Sequence, residues 1–361
     1  MIKQRFPALD IMRGLTLALM ILVNTPGSWN FVYAPLLHAD WHGFTPTDFI
    51  FPFFLFMVGA ALFFSQRSLN QPHITPSDRH KKILKRTLLL FAVGLFLNIF
   101  PFTTPLNEIR ILGVLQRIAL AYGIAAFIVL YANLAVRIAV SVILLLGYWL
   151  VLQLGIDPYS LESSIVRQVD VDLLGASHLW QGKGIPFDPE GLLSTLPSVV
   201  NVLVGFEVAR ILSSGKGVIE IRKTLALVSV VCIGIALMWN MSFPINKSLW
   251  TSPFVLLTSG VAIAVLLVLI TLEGIAFAKP LLNIFIPFGK NPLFIYALAF
   301  MWETLLYTIK VGQLSCHEFL YQKLCLFLNA YNASLAFALI HVFIFWCVAK
   351  WMERKNIVIS L

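Results

Sequence analysis

The chain has 361 residues, 59% of them hydrophobic and only 12% charged, and its mean hydropathy is +0.87. A soluble domain is about 25% charged, so these residues cannot cover a water-facing surface; a soluble enzyme, a secreted disulfide scaffold and a disordered chain are excluded. The formal charge of +9 reads as membrane topology and not as nucleic-acid binding, because Lys and Arg gather on the connections of one side.

The apolar runs are long and continuous, unlike the alternating segments of about 10 residues in a membrane barrel. They predict an all-α polytopic membrane helix bundle of about ten transmembrane helices, one domain over 1–361. Spans are expected near 11–32, 47–65, 83–101, 111–131, 138–154, 191–212, 224–241, 251–272, 291–309 and 333–351. Of the 26 Lys and Arg residues, 18 fall on the side of the termini, six (Arg110, Arg167, Lys183, Lys247, Lys310, Lys323) on the other, and Arg13 and Arg117 inside spans. Both termini are therefore expected in the cytoplasm. Lys3 and Arg5 before an apolar stretch look like the start of a signal peptide, but Asp10 and Arg13 interrupt the stretch and no small-x-small cleavage site follows. It is read as the first span.

A charge at mid-span costs about 2.5–3.5 kcal/mol, so each one retained points to a partner or a function. On the first helix Asp10, Arg13, Thr16, Met20 and Asn24 recur every three or four residues and share one face. At the helical rise the stripe is about 21 Å long. It is either an Asp10 to Arg13 pair that neutralises itself or the wall of a channel for a long ligand. Asn24-Thr25-Pro26-Gly27 should then distort the helix, which is tolerated at membrane depth beside a cavity. The connection from His38-Ala39-Asp40-Trp41-His42 to Asp48 carries two imidazoles suited to proton transfer near pH 7. Spacing does not choose between His38 and His42, but the company of Asn24, Asp40, Trp41 and Asp48 separates both from His73, His80, His178 and His317.

Further along, Arg110 and Arg117 are seven apart and share a face, suited to pairing with an acid from another helix or to anion recognition. The connection 155–190 is acidic; Asp188-Pro189-Glu190-Gly191 leads into the sixth span and Asn246-Lys247-Ser248-Leu249-Trp250 precedes the eighth, all on the side of His38. Gly289-Lys290-Asn291-Pro292 lies on the cytoplasmic side, where Lys290 suits a lipid phosphate or the anionic group of a ligand. Trp29, Trp41, Trp180, Trp250 and Trp351 lie near span ends and fit an aromatic belt. Cys316 and Cys325 share one outer connection, which leaves a disulfide open. Zinc-ligand spacing, a phosphate-binding Gly loop, a dinucleotide fingerprint and a nucleophile elbow are all missing from the sequence.

The strings Leu9-Asp10-Ile11-Met12-Arg13-Gly14-Leu15-Thr16, Val23-Asn24, His38 to Asp48 and Phe51-Pro52-Phe53-Phe54-Leu55-Phe56-Met57-Val58-Gly59 resemble the heparan-alpha-glucosaminide N-acetyltransferase family and its bacterial relatives. Arg110 to Arg117, Phe187 to Gly191, Ile245 to Trp250 and Gly289 to Leu293 continue the resemblance in the family's order over nearly the whole chain. It implies acetyl-CoA as acetyl donor, an amino-sugar acceptor on the outer side, and a multi-pass protein of the bacterial inner membrane. The family's active histidine falls in the block matching His38, and its functional first-helix asparagine on Asn24. The expected catalytic groups are thus His38 as base and Asn24 as polarising donor. Arg13 and Lys290 are expected at the donor's phosphates, Asp48, Asp188, Glu190 and Asn246 at the acceptor sugar, and no metal. Direct transfer and a ping-pong route through an acetyl-histidine both stay open. His42 stands where the family's lysosomal member has no histidine, and that member's luminal N-terminal domain is expected to have no counterpart here. The competing expectation is a membrane transporter for N-acetylglucosamine or a related amino sugar, which would show paired broken helices near the midplane. A homodimer is left open.

Overall fold

Pro7 opens the first helix, where its missing N–H costs nothing, and apolar residues carry it to Asn24. The computed structural model describes residues 6–69 and 74–359; Lys3, Arg5 and His73 lie outside them. Among the described residues the helices are α1 Pro7–Asn24, α2 Ile50–Leu69, α3 Pro76–Ile99, α4 Val114–Tyr131, α5 Leu134–Leu152, α6 Ile165–Leu174, α7 Leu192–Leu212, α8 Val218–Trp239, α9 Ser252–Glu273, α10 Ala278–Asn283, α11 Ile286–Lys290, α12 Pro292–Thr308, α13 Cys316–Cys325 and α14 Ala330–Arg354. A small ribbon, β1 Lys310–Val311 with β2 Leu314–Ser315, pairs antiparallel.

Among the described residues eight helices are long and apolar enough to cross a membrane: α1, α2, α4, α5, α7, α8, α9 and α14. The other two expected spans are present as α3, whose first turns are charged, and α12, which is 17 residues long. The first span is shorter than expected. Pro26 drives Thr25 out of the helical region, to φ −122° and ψ 51°, so α1 stops at Asn24 and residues beyond it form short 3-10 turns that lead to His38.

At the centre, α2 and α7 touch backbone to backbone. A Cβ on Gly59 would lie 1.8 Å from the Val202 carbonyl oxygen, and one on Gly205 1.9 Å from that of Phe56, so only glycine permits the crossing. α9 and α4 pack on this pair, while α5 and α8 present most of their apolar surface outward. The same device seats α1 on α11: Gly14 faces the Phe285 carbonyl and Gly289 faces that of Asp10. Cys316 and Cys325 stand at opposite ends of α13, about 13 Å apart at the helical rise, beyond disulfide reach, and both are free thiols. Trp250 does not join an aromatic belt; it is buried beneath the Arg117 guanidinium, 4.7 Å from its ring centre.

Candidate active site

The segment from His38 to Asp48 folds back on itself at a 3-10 turn, Pro46–Phe49. The Thr45 amide and hydroxyl reach Oδ2 of Asp48 at 2.9 and 3.2 Å, and the Ala39 amide donates to the same oxygen at 3.1 Å. Asp48 is thereby fully buried, and its Oδ1 accepts from Nδ1 of His38 at 2.6 Å. That bond places the proton of a neutral ring on Nδ1 and leaves Nε2 as the basic nitrogen. His38 is half exposed. Asp48, expected at the acceptor sugar, has its oxygens occupied and instead orients the histidine.

Lys247, 209 residues away in sequence, completes this group. Its Nζ lies 2.9 Å from Nδ1 and 3.2 Å from Nε2 of His38, and 3.5 Å from Oδ1 of Asp48. Burial pushes its ammonium below the usual lysine value, against the pull of Asp48 and Glu190. The neighbouring Asn246 is fully buried: its Oδ1 accepts from the Leu249 amide at 2.8 Å and its Nδ2 lies 3.3 Å from Nδ1 of His42. His42 faces a cavity of about 490 Å³ lined by Asp40, Trp41, Asp157, Tyr159, Glu162 and Lys183 among others. Burial pushes the His42 imidazole below its usual value, with Asp157 pulling the other way. Two contacts close the acidic connection over this segment: Nε1 of Trp41 donates to the Tyr159 carbonyl and Nζ of Lys183 to that of Asp40, each at 2.7 Å.

Arg110 pairs with both acids of the 188–190 turn. Nε and Nη2 grip Asp188 at 2.8 and 2.7 Å, and Nη2 also reaches Glu190 at 2.6 Å. Burial works against the guanidinium's charge, but these two carboxylates outweigh it and raise its proton affinity. Asp188 is fully buried. Arg117 is buried too, donating to the Gly191 carbonyl and the Ser194 hydroxyl. Asp170 on α6 accepts from the Leu192 amide at 2.9 Å, tying down the start of α7; burial pushes its carboxyl up to about 7, and nearby Asp188 adds to the rise.

A second cavity, about 340 Å³, opens at the end of the bundle that carries both termini. Arg13, Arg86 and Lys290 supply its cations, and Met20, Met57, Leu90, Ile118 and Tyr296 its apolar wall. Arg13 bridges Asp10 at 3.1 Å and the Gly289 carbonyl at 3.0 Å, and Lys290 pairs with Glu353 at 3.0 Å. Arg86 lies over the Tyr122 ring at 4.8 Å and keeps a buried Nε without a hydrogen bond. The chain end closes this side, with the Asn291 side chain bonding to Ile357 and Ile359. Tyr296 lies within electrostatic range of Glu190 and Arg110, as Lys247 does of Glu190.

The structure thus gathers His38 with Asp48, His42 with Asn246, Asp188 with Glu190, and Arg13 with Lys290. Asn24 is exposed at the last residue of α1 and makes no hydrogen bond to His38. Sequence reasoning missed Lys247 and Arg86, which it counted as cations of connecting loops. Among the described residues no three His, Cys, Asp or Glu side chains converge as metal ligands.

The sequence model described as heparan-alpha-glucosaminide N-acetyltransferase, catalytic, matches residues 5–214, more than half of the chain. Heparan-alpha-glucosaminide N-acetyltransferase of Homo sapiens is 30% identical over 356 residues, covering 81% of this chain and 52% of that protein. Its counterpart in Mus musculus is 28% identical over 357 residues, covering 81% and 53%. The chain spans about half the length of these curated relatives. With the His38–Asp48 pair and the Arg110 network inside the matched region, the chain belongs to the heparan-alpha-glucosaminide N-acetyltransferase catalytic family.

Proposed function

We propose that this protein moves an acetyl group from acetyl-CoA to the amine of a glucosamine-type sugar, with the donor entering from the cytoplasmic end and the acceptor held at the opposite, periplasmic side of a bacterial inner membrane. The observation that carries the reading is the His38–Asp48 pair, on the same short segment as Asp40, Trp41 and His42, which line an acidic, aromatic cavity, while a separate apolar cavity carries Arg13, Arg86 and Lys290.

The donor brings an activated thioester. Arg13, Lys290 and Arg86 suit its phosphates, and the apolar wall suits its extended arm. At the other end Asp157 and Glu162 favour a cationic sugar, and Trp41 and Tyr159 offer faces for its ring. As the amine attacks the carbonyl carbon, the C–N bond forms, Nε2 of His38 takes the amine proton, and the C–S bond breaks with the thiolate leaving. Asn24 is the proposed donor to the developing oxyanion. Asp48 holds the ring's tautomer, Asp188 fixes Arg110, and Asn246 fixes the His42 side of the cavity. Glu190, which shares Arg110, is proposed as a further acid for the acceptor.

The test is acetyl release from labelled acetyl-CoA by the purified protein in detergent, with and without glucosamine, in wild type, His38→Ala and His42→Ala. Acceptor-dependent turnover lost in His38→Ala and kept in His42→Ala is expected. No turnover with any amino sugar, together with N-acetylglucosamine uptake into vesicles holding the protein, would replace the reading with transport.

A further inference from the structure

Asp48 and Lys247 bracket the His38 ring with opposite charges. A carboxylate 2.6 Å from Nδ1 favours proton uptake by an imidazole, and an ammonium about 3 Å from both ring nitrogens opposes it. A base that accepts the amine proton must arrive unprotonated near neutral pH, and Asp48 by itself would favour the imidazolium, which has no lone pair at Nε2. The connection bearing Lys247 is built to hold it still. The Trp250 amide donates to the Lys247 carbonyl at 3.0 Å and the Thr251 amide to that of Asn246 at 3.1 Å. Trp250 adopts a left-handed φ of 52°, uncommon for a residue of its size, and donates from Nε1 to Asn201 at 3.1 Å.

We propose that Lys247 is a positioning residue that acts through His38: its ammonium, beside both ring nitrogens, offsets Asp48 and so opposes protonation of the imidazole. This rests on His38 being the base of the transfer proposed above. The other charged groups nearby are Glu190, in the turn before α7, and Arg117 on α4, both within electrostatic range of Lys247, and Asp40 and His42 on the histidine's own segment, where the His42 ring turns to Asn246.

Diethylpyrocarbonate acylates only the unprotonated imidazole, so the pH dependence of His38 labelling, read by peptide mass spectrometry on the purified protein, reports the ring without needing activity. Lys247→Met should move the labelling midpoint up by about half to one pH unit, roughly three- to tenfold slower labelling on the acid side, while Lys247→Arg keeps the wild-type midpoint. The acid limb of kcat/KM should move the same way with the KM for acetyl-CoA unchanged. Lys247→Gln, which keeps a polar end, serves if Lys247→Met fails to fold. An unchanged midpoint, or one moved to lower pH, in a folded variant overturns the proposal. A shifted midpoint in a protein that transfers no acetyl group would instead remove the acetyltransferase reading and leave the Lys247–His38 coupling standing.

Discussion

The two cavities differ in the sign of their charge and in what lines the rest of their walls. The one at the terminus-bearing end is largely apolar and carries Arg13, Arg86 and Lys290, while the other mixes aromatic walls with charge, its Asp40, Asp157 and Glu162 outnumbering Lys183. The first suits a long apolar ligand with an anionic head, the second a small, hydrated, cationic one. The difference follows from how each is built: the first from the inward faces of packed helices, where Arg can lie over an aromatic ring, the second from connections that water reaches.

Substitutions test this contrast. His38→Ala should lower kcat by about 10²–10⁴ at the polar end without changing acetyl-CoA binding by calorimetry. Asp48→Asn should cost about a hundredfold in kcat by releasing the ring's tautomer, with KM for both substrates near wild type in steady-state assays. At the apolar end, Arg13→Gln with Lys290→Gln should raise the KM for acetyl-CoA about tenfold, the scale of a lost charged contact, and leave the acceptor's KM alone; an equal rise in both would erase the division. Asp157→Asn with Glu162→Gln should raise only the acceptor's KM, by about threefold, because charges that water reaches are worth under about 1 kcal/mol.

The smallest effect is on stability. The Asp170 carboxyl is raised to about 7, so between its ordinary value near 3.8 and 7 the folded state holds a proton that the unfolded state has released. Stability from this group is present at acid pH and falls as pH rises through that window. Asp170→Asn keeps the acceptor for the Leu192 amide and should flatten the fall, raising Tm at pH 8 relative to wild type by more than at pH 5 in a thermal scan.

The helical bundle was legible because uninterrupted apolar length is a signal a single sequence carries, although eight of the ten expected spans are long and apolar enough to cross a membrane among the described residues, and the end of α1 was half legible because Pro26 marked a break without fixing where the helix stops. Charge was harder to read. Arg110 and the 188–190 acids were visible singly, yet their pairing crosses 78 and 80 residues of sequence. Asp48 looked like a substrate group because its partners are chosen by a 3-10 turn that no periodicity announces. Lys247 and Arg86 were hidden by the rule that revealed the topology: a cation near a span end is taken as a loop charge until the fold shows what it touches. His38 was separated from His42 by family resemblance alone; in the structure Nδ1 of His38 lies against the Asp48 carboxylate and Nδ1 of His42 against the Asn246 amide.

The crossing of α2 and α7 bears on what can pass through this molecule. Two helices pressed together at Gly59 and Gly205, with no side chain between them to act as a bearing, resist sliding and rocking. Under the proposed transfer such a pinned crossing would act as a bulkhead, with the sugar staying where it bound and only a fragment of a few atoms handed across by bond exchange.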